Sequence, residues 1–479
     1  PVPRRHARGP QAARDAVPDV LQPRLRAHQQ RHQHHDAGPE PVGPGDHDQR
    51  RPGDVHVQAA DLPRQPERPG RPEPARARPA EPFSPILVVT TQVAHDDLFL
   101  HVLGGTGPRY QPVTRLYRGQ RAFILPFAQN YAVDALENAD LTFEVAIHRP
   151  DGSLDGAPLS ASLWQGVISA PDLILYPSAT VNFYAEPGDP PGEYRLVVRI
   201  HDHLGGDVRE HSQTITLVDY EPPALPADFT PETWFQNYYL APSPELALPA
   251  LPRFFDKLPA DNRAGAIPPL LGFYDQILID NPWLLPAFAA RLQATPDPDE
   301  AFALSLVLGF HLRSAAAPPP GVDEATWTRL ADFRTHDWPS DPDAPLLQAS
   351  QLDALWGRFF ASARYATVQR LIEPLANTAD LGAAERWRQS LRLEADDNYP
   401  IPDLDDPEIP AEIRREVLLR TALWSLRANA RQHPLVRGYL EQTLRTGDLA
   451  PGARVLLERA LRTDSPATAS GANPPAPNS

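Results

Sequence analysis

The apolar residues of this chain change their period once, at a proline-rich stretch over residues 220–229. From 83 to 220 apolar and polar residues alternate in short runs, which is typical of half-buried β-strands. From 230 to 463 apolar residues recur every three to four positions, as on one face of an amphipathic helix. A sequence with the two-residue period of a strand does not suit a helix, and a sequence with the helical period does not suit a strand. We therefore expect a β domain over 83–220, a linker over 221–229 and an α-helical domain over 230–463.

The β half consists of short apolar runs separated by turn-forming residues. The runs LTFEVAI (141–147) and YRLVVRI (194–200) alternate strictly, and the turn-rich HDHLGGD (201–207) joins the second to REHSQTITLV (209–218). The other predicted strands are 97–103, 121–127, 172–176 and 180–186. About seven short strands with frequent turn signals predict an antiparallel β-sandwich.

The stretch PPGEYRLVVRIHDHLGG, followed by HSQTITLV, resembles the closing hairpin of bacterial immunoglobulin-like modules. In those modules Pro-x-Gly-x-Tyr precedes alternating apolar residues and an Asp at the turn, and here Pro190, Gly192, Tyr194 and Asp202 occupy these places. The resemblance implies an Ig-like fold without the cysteine pair of antibody domains, with Trp164 as the candidate core tryptophan. Such a fold carries no function of its own.

The helical half begins with Thr230 as N-cap and Pro231 at the first helical position. In the run 350–360, Ser350 and Asp353 have capping-box-like spacing. Further amphipathic runs cover 364–375, 418–430, 433–444 and 452–461. Short helix pairs in series resemble HEAT-like or other α-helical repeat stacks, although the chain shows no repeat of fixed length.

Residues 1–82 use only ten residue types, which are those encoded by codons beginning with C or G. Disordered segments normally keep Ser and Lys, and both are missing here. We therefore interpret 1–82 as out-of-frame translation of a high-GC bacterial gene, and the 30 Arg against one Lys after residue 82 agree with that bias. The alternative is a genuine disordered tail with a metal-binding tract at His28, His32, His34 and His35. The composition of 464–479 also predicts disorder.

From residue 83 onward the chain has 31 basic and 50 acidic residues, a net charge of −19. Such a surface repels phosphate backbones, so we expect no nucleic-acid partner. The absence of cysteine excludes disulfides and thiolate metal sites. The longest apolar run, 301–312, is shorter than the ~20 residues of a spanning helix, which argues against an integral membrane protein.

The hairpin 201–211 is the first candidate metal site. Its candidate ligands are His201, His203, His211, Asp202 and Asp207. If Gly205 and Gly206 are the central turn residues, Leu204 lies opposite Asp207 and His211 lies on the face opposite to His201 and His203. We therefore expect a solvated hairpin tip without a metal ion.

The second candidate metal site is the acidic stretch 394–410, which suits Ca²⁺ by ligand type but lacks EF-hand spacing. Its acidic residues are Asp396, Asp397, Asp403, Asp405, Asp406 and Glu408. The four prolines among them favour an ordinary exposed linker.

Three further features have simpler structural interpretations. GGTG (104–107) is expected to be a hairpin loop rather than a phosphate cradle, because Pro108 and further strands follow it. Lys257, the one lysine after residue 82, is expected at a helix end. An aromatic cluster follows the linker: Trp234, Phe235, Tyr238, Tyr239, Phe254 and Phe255. We expect it to form an interdomain core rather than a binding groove.

Together these patterns predict a non-catalytic binding or scaffold protein with a protein partner and with neither cofactor nor metal. We expect it to be periplasmic or secreted, with the cytoplasm as the alternative. The alternative function is a metal-dependent hydrolase that uses His201 and His203 or the acidic cluster 396–408.

Overall fold

The structure is a computed structural model that describes residues 57–58, 82–95, 97, 110–168, 174–177, 180–257, 263–390 and 409–462. The predictions for most of 1–82, for all but one residue of the strand 97–103, for 104–107, for the acidic residues 394–408 and for 464–479 lie outside these residues. The structure does not test the domain boundaries.

The N-terminal part of the described chain is a β region of two sheets. Its strands are β1 (Val57–Gln58), β2 (Ser84–Thr90), β3 (Arg115–Tyr117), β4 (Arg121–Gln129), β5 (Asn138–His148), β6 (Leu159–Val167), β7 (Thr180–Tyr184), β8 (Gly192–Asp202) and β9 (Asp207–Val218). The sheet orders are β1-β7-β4-β2 and β3-β9-β8-β5-β6. Every described neighbouring pair is antiparallel except β3 with β9, which is parallel.

The predicted alternation is confirmed in the central strands. In β5 the side chains of Leu141, Phe143, Val145 and Ile147 are buried, and the residues between them are half-buried. These four residues share one hydrophobic core with residues of the other sheet, for example Phe183. The burial of one face of each sheet against the other is the main stabilisation of this region.

Between residues 83 and 220, the strand assignment from sequence was wrong at one place and missed three strands. In the described part of 172–176, Leu175 makes only an isolated bridge to Ala128, and the following Pro177 has no N–H for a ladder. Strands β2, β3 and β6 were missed. Strand β3 has only three residues, and in β6 the residues Ser, Ala and Gly weaken the apolar alternation. Trp164 packs at the margin of the core and its Nε1 donates to the Gly166 carbonyl, so it is not the central core tryptophan.

The C-terminal part is helical, as predicted. The helices are α1 (Pro231–Asn237), α2 (Ala247–Lys257), α3 (Arg263–Asp280), α4 (Leu285–Ala294), α5 (Pro298–His311), α6 (Glu324–Arg329), α7 (Ala331–Arg334), α8 (Ala349–Ser362), α9 (Tyr365–Ile372), α10 (Ala383–Ser390), α11 (Ala411–Gln432), α12 (Pro434–Thr446) and α13 (Pro451–Leu461). Short 3₁₀ turns lie between several of them, at Tyr238–Leu240, Pro244–Leu246, Pro282–Leu284, Glu373–Ala376 and Thr378–Asp380.

Two helix caps differ from the sequence-based expectation. Thr230 precedes α1 in an extended conformation, but its side chain makes no capping hydrogen bond. At the start of α8 the Gln351 side chain accepts the Gln348 N–H at 3.0 Å, while Ser350 donates to the Pro339 carbonyl. Since Gln351 is the residue that turns back to the cap, the predicted pair of Ser350 and Asp353 was wrong.

Helices α3 and α8 cross with their backbones in contact. A Cβ atom added to Gly272 would lie 1.9 Å from the Ala354 carbonyl oxygen, and one added to Gly357 would lie 2.0 Å from that of Pro269. No side chain fits at either position, so these two glycines set the distance between the central helices of the region.

The β and helical regions meet through aromatic rings that the sequence interpretation did not select. Tyr117 stacks on Trp283 with centroids 5.0 Å apart, and Tyr220 packs edge-on against both. Tyr220 also donates to the Glu245 carbonyl at 3.0 Å. The predicted aromatic cluster lies instead within the core of the helical region, where Tyr238, for example, is buried.

Among the described residues, no helix combines the length and apolar character required to cross a bilayer.

Candidate binding surface

The β8–β9 hairpin has a register two residues away from the predicted one. Asp202 pairs with Asp207, and His201 pairs with Val208. The cause is the buried Asp202 side chain, which accepts the N–H groups of Gly205 and Ala132, both at 2.8 Å. These bonds lengthen the turn beyond the two central glycines that the sequence suggested.

The hairpin histidines remain on different faces, because a shift of two residues preserves the alternation. His211 pairs with Val198 and is exposed, whereas His203 Nε2 lies 2.9 Å from Thr142 Oγ1. The rings of His201 and His203 are 6.1 Å apart. Within the described ranges no three His, Cys, Asp or Glu side chains come together as metal ligands.

The strongest charge cluster lies inside the helical region around Asp275, whose side chain is 1% exposed. Arg358 Nη2 is 2.6 Å and His311 Nδ1 3.0 Å from its carboxylate, and Arg313 lies at 3.4 Å. Both arginines also contact Asp343. Burial alone would raise the pKa of Asp275, but the hydrogen bond from His311 and the charges of Arg358 and Arg313 hold it below its usual value.

This cluster has the properties of a structural clamp. Its arginines join α3 and α8 to the loop that carries Asp341 and Asp343. Arg313 and Arg358 are themselves about nine-tenths buried, at 9% and 12% exposure, so little room is left for a ligand. A buried carboxylate with two charged partners is costly to disrupt.

A second polar centre lies where the loop 91–94 meets the helical region. Asp280 accepts hydrogen bonds from Arg364 at 2.7 Å and from Gln276 at 2.8 Å, and burial raises its pKa. A cavity of 20 Å³ adjoins it and is also lined by Tyr238 and Ser362. This volume is about the size of one water molecule, so the junction is too small for a larger ligand.

Lys257 lies at the C-terminal end of α2, as expected. It pairs with Glu232 at 3.2 Å, and both side chains are more than half exposed. Exposed pairs of this kind contribute little to stability.

Helix α11 presents the most exposed aromatic residue of the described chain. Leu419, Ala422, Leu426 and Ala430 are buried on one side of this 22-residue helix. Trp424 lies two positions from both Ala422 and Leu426, and at 100° per residue this places it on the opposite side. Its exposure is 72%, whereas tryptophan usually buries most of its surface.

Positive charge concentrates in the same part of the molecule. Residues 411–462 contain ten Arg against five acidic residues, a net charge of +5. Residues 83–410 contain 21 basic and 44 acidic residues, a net charge of −23. Arg420 and Arg431 lie one and two turns from Trp424 along α11, and both are exposed. Trp424 therefore shares its helix with two exposed arginines and lies in the net-basic segment of an otherwise acidic chain.

The buried Glu416 side chain holds Arg420 in position. Arg420 Nη2 lies 2.6 Å from Glu416, which is 3% exposed and accepts the N–H groups of Gly382 and Ala384 at 2.9 Å. Burial tends to raise the pKa of Glu416, but these backbone bonds and Arg420 hold it below its usual value. The arginine remains 64% exposed.

Two signals in the sequence point to this surface, which is not among the sites predicted from sequence. Trp424 interrupts the apolar period of the run 418–430, and the local net charge changes sign after 410. A charge count over the whole chain after residue 82 hides this basic segment. We call the surface formed by Arg420, Trp424, Ala428 and Arg431 the α11 face.

Comparisons with known proteins do not assign the chain to a family. No protein-family model and no curated protein matches it. Among solved structures, it aligns with the CARDB domain of a Pyrococcus furiosus protein determined with di-metal ions, at 13% identity and a TM-score of 0.15, over 28% of this chain and 89% of that domain.

Two other alignments cover smaller shares of the matched proteins. One is to a family 123 glycoside hydrolase from Clostridium perfringens, at 10% identity and a TM-score of 0.16, over 33% of this chain and 32% of that one. The other is to the sporulation control protein Spo0M from Bacillus subtilis, at 10% identity and a TM-score of 0.15, over 29% and 50%. TM-scores this low support neither a shared fold nor a shared function.

Proposed function

We propose that this chain is a non-catalytic binding protein that recognises a protein partner through the α11 face. The observation that carries the proposal is Trp424, which is 72% exposed on the same helix as the exposed Arg420 and Arg431. Tryptophan and arginine dominate the binding energy of protein interfaces, and both are enriched there relative to other surfaces.

In this proposal the β region is an Ig-like module that supports the helical region. The support is the β8–β9 hairpin, where Tyr194 is buried and its hydroxyl donates to the Pro190 carbonyl at 3.1 Å. This bond gives the Pro-x-Gly-x-Tyr motif a structural purpose. Export from a high-GC bacterium belongs to the same proposal and rests on the resemblance of this hairpin to bacterial Ig-like modules.

The helical region is proposed to be a HEAT-like stack that ends with α11, α12 and α13. One residue, His433, separates α11 from α12, and the four residues 447–450 separate α12 from α13. Such short connections favour antiparallel neighbours, as in helical repeats, and repeat stacks commonly present binding surfaces.

The test is an array of short peptides of varied composition, probed with the wild-type protein and with Trp424→Ala. We expect a set of peptides that bind the wild type and lose binding in the variant. The matched control is Leu136→Ala, because Leu136 is also 72% exposed but lies in the β region. An array without any Trp424-dependent peptide, or one in which Leu136→Ala removes the same peptides, would contradict the proposal.

A further inference from the structure

We infer that the α11 face binds a short acidic protein segment that carries an apolar residue placed against the Trp424 ring. This inference rests on the proposed function and adds the chemistry of the partner. It follows from the sign of the local charge, from the length of the surface and from the nature of the central residue.

The positive net charge of the segment that contains the α11 face favours an acidic partner. The segment 411–462 has a net charge of +5, and its field favours the approach of carboxylates. Arg420 supplies a guanidinium that is already oriented by buried Glu416 and is still 64% exposed. Because its side chain is held in place, less conformational entropy is lost when a partner carboxylate binds.

The distance between the two arginines of the α11 face favours a short partner segment. Arg420 and Arg431 are 11 residues apart on one helix, which corresponds to about 16 Å, or roughly five residues of extended peptide. Residues 83–410, by contrast, carry a net charge of −23. Screening in physiological salt extends over only ~8 Å, so a short acidic segment experiences mainly the basic face.

A long polyanion is expected to be repelled rather than bound. A nucleic acid or an anionic membrane extends far beyond 16 Å and would face the acidic remainder of the molecule, where like charges repel. The structure thus favours a protein segment over either of these ligands.

Trp424 requires an apolar group in the partner. A polar acidic segment alone would leave the indole ring in water, and the burial of aromatic surface is the largest gain that this surface offers. Proline or leucine between acidic residues meets this requirement.

The experiment uses the full chain and three fluorescein-labelled peptides that share a central Leu-Pro pair. The flanking residues are Asp and Glu in the acidic probe, Ser and Gln in the neutral probe, and Lys in the basic probe. Binding is followed by fluorescence anisotropy at low and at physiological salt. Oligothymidylate and phosphatidylserine vesicles serve as the competing polyanions.

We expect the acidic probe to bind most tightly and to weaken as salt increases. Trp424→Ala should weaken this binding by about thirtyfold, which is the effect of a hot-spot residue. A matched pair at Ala428, one turn after Trp424, tests the charge alone: Ala428→Glu should weaken the acidic probe severalfold, and Ala428→Lys should strengthen it. Leu136→Ala should change nothing, and equal melting temperatures show that the variants are folded.

Each other outcome overturns the inference in a recognisable way. Equal binding of the neutral probe, or equal effects of Ala428→Glu and Ala428→Lys, would refute the acidic chemistry while the proposed function stands. Tighter, Trp424-dependent binding of the oligonucleotide or the vesicles would replace the peptide by that ligand. Absence of Trp424-dependent binding for the three probes and for the peptide array would refute the proposed function as well.

Discussion

Two parts of the helical region use arginine in opposite ways. Between α3 and α8, Arg313 and Arg358 are about nine-tenths buried and enclose Asp275. On α11, Arg420 and Arg431 are exposed beside Trp424. The first set of charges is satisfied internally and stabilises the fold. The second set stays at the surface, where Arg420 also bonds buried Glu416, and it contributes to the positive charge of the α11 face.

The largest expected effect comes from removing the buried carboxylate. Asp275→Ala removes the buried carboxylate and leaves Arg313 and Arg358 with only the more exposed Asp341 and Asp343, which should lower the free energy of unfolding by about 3–5 kcal/mol. Urea denaturation measures this change. The control is Glu441→Ala, which breaks the half-exposed pair with Arg437 and should cost less than about 1 kcal/mol. Similar losses for the two variants would mean that the Asp275 cluster is not a buried clamp.

The next effect concerns the crossing of α3 and α8, on which the clamp depends. Gly357→Ala places a methyl group against the Pro269 carbonyl and should destabilise the protein by about 1–3 kcal/mol. Gly188→Ala is the matched control, because nothing lies within 4 Å of its Cβ position. If thermal melts of the two variants coincide, the two helices are not in backbone contact.

A smaller effect on stability is expected when the pH is lowered. It comes from His433, which lies between α11 and α12. Burial lowers the pKa of this histidine, and its Nδ1 lies 3.1 Å from the Tyr239 hydroxyl. The unfolded chain therefore binds a proton near pH 6.5 while the folded chain does not, so stability falls as the pH drops below about 6.5.

His433→Gln should remove this contribution. The free energies of unfolding from urea titrations at pH 7.5 and 5.5 should differ less in the variant than in the wild type, by about 1 kcal/mol or less. A larger pH dependence in the variant would contradict a buried neutral histidine.

The smallest effect is expected at the β8–β9 hairpin. His203→Ala removes the exposed contact between His203 and Thr142. It should change the free energy of unfolding by no more than about 0.5 kcal/mol. Neither zinc nor a chelator should move the melting temperature of the wild type. A zinc-dependent rise of several degrees that His203→Ala abolishes would instead favour the metal-dependent hydrolase.

The sequence predicts elements better than it predicts their contacts. Alternation in 141–147 and 194–200 located β5 and β8, because the period of a strand depends only on which face is buried. The hairpin register was wrong because Asp202 bonds to Ala132, which is 70 residues away in sequence. Pattern analysis has no access to such a pairing.

The same limit applies to the polar centres of the helical region. Asp275 meets His311 and Arg358 across 36 and 83 residues, and the stacking of Tyr117 on Trp283 joins two regions. Only the fold brings these residues together. The basic character of 411–462 is different, because a count of charges by segment reveals it without a structure.

The most direct test of the binding surface observes the eight tryptophan indole N–H signals by NMR while the acidic probe is added. Trp424→Phe assigns the signal of Trp424. We expect this signal to shift most and in proportion to saturation, while the signals of core and interface residues such as Trp356 and Trp283 stay in place. A Trp424 signal that does not move while the probe binds, or a larger shift at Trp283, would contradict this expectation.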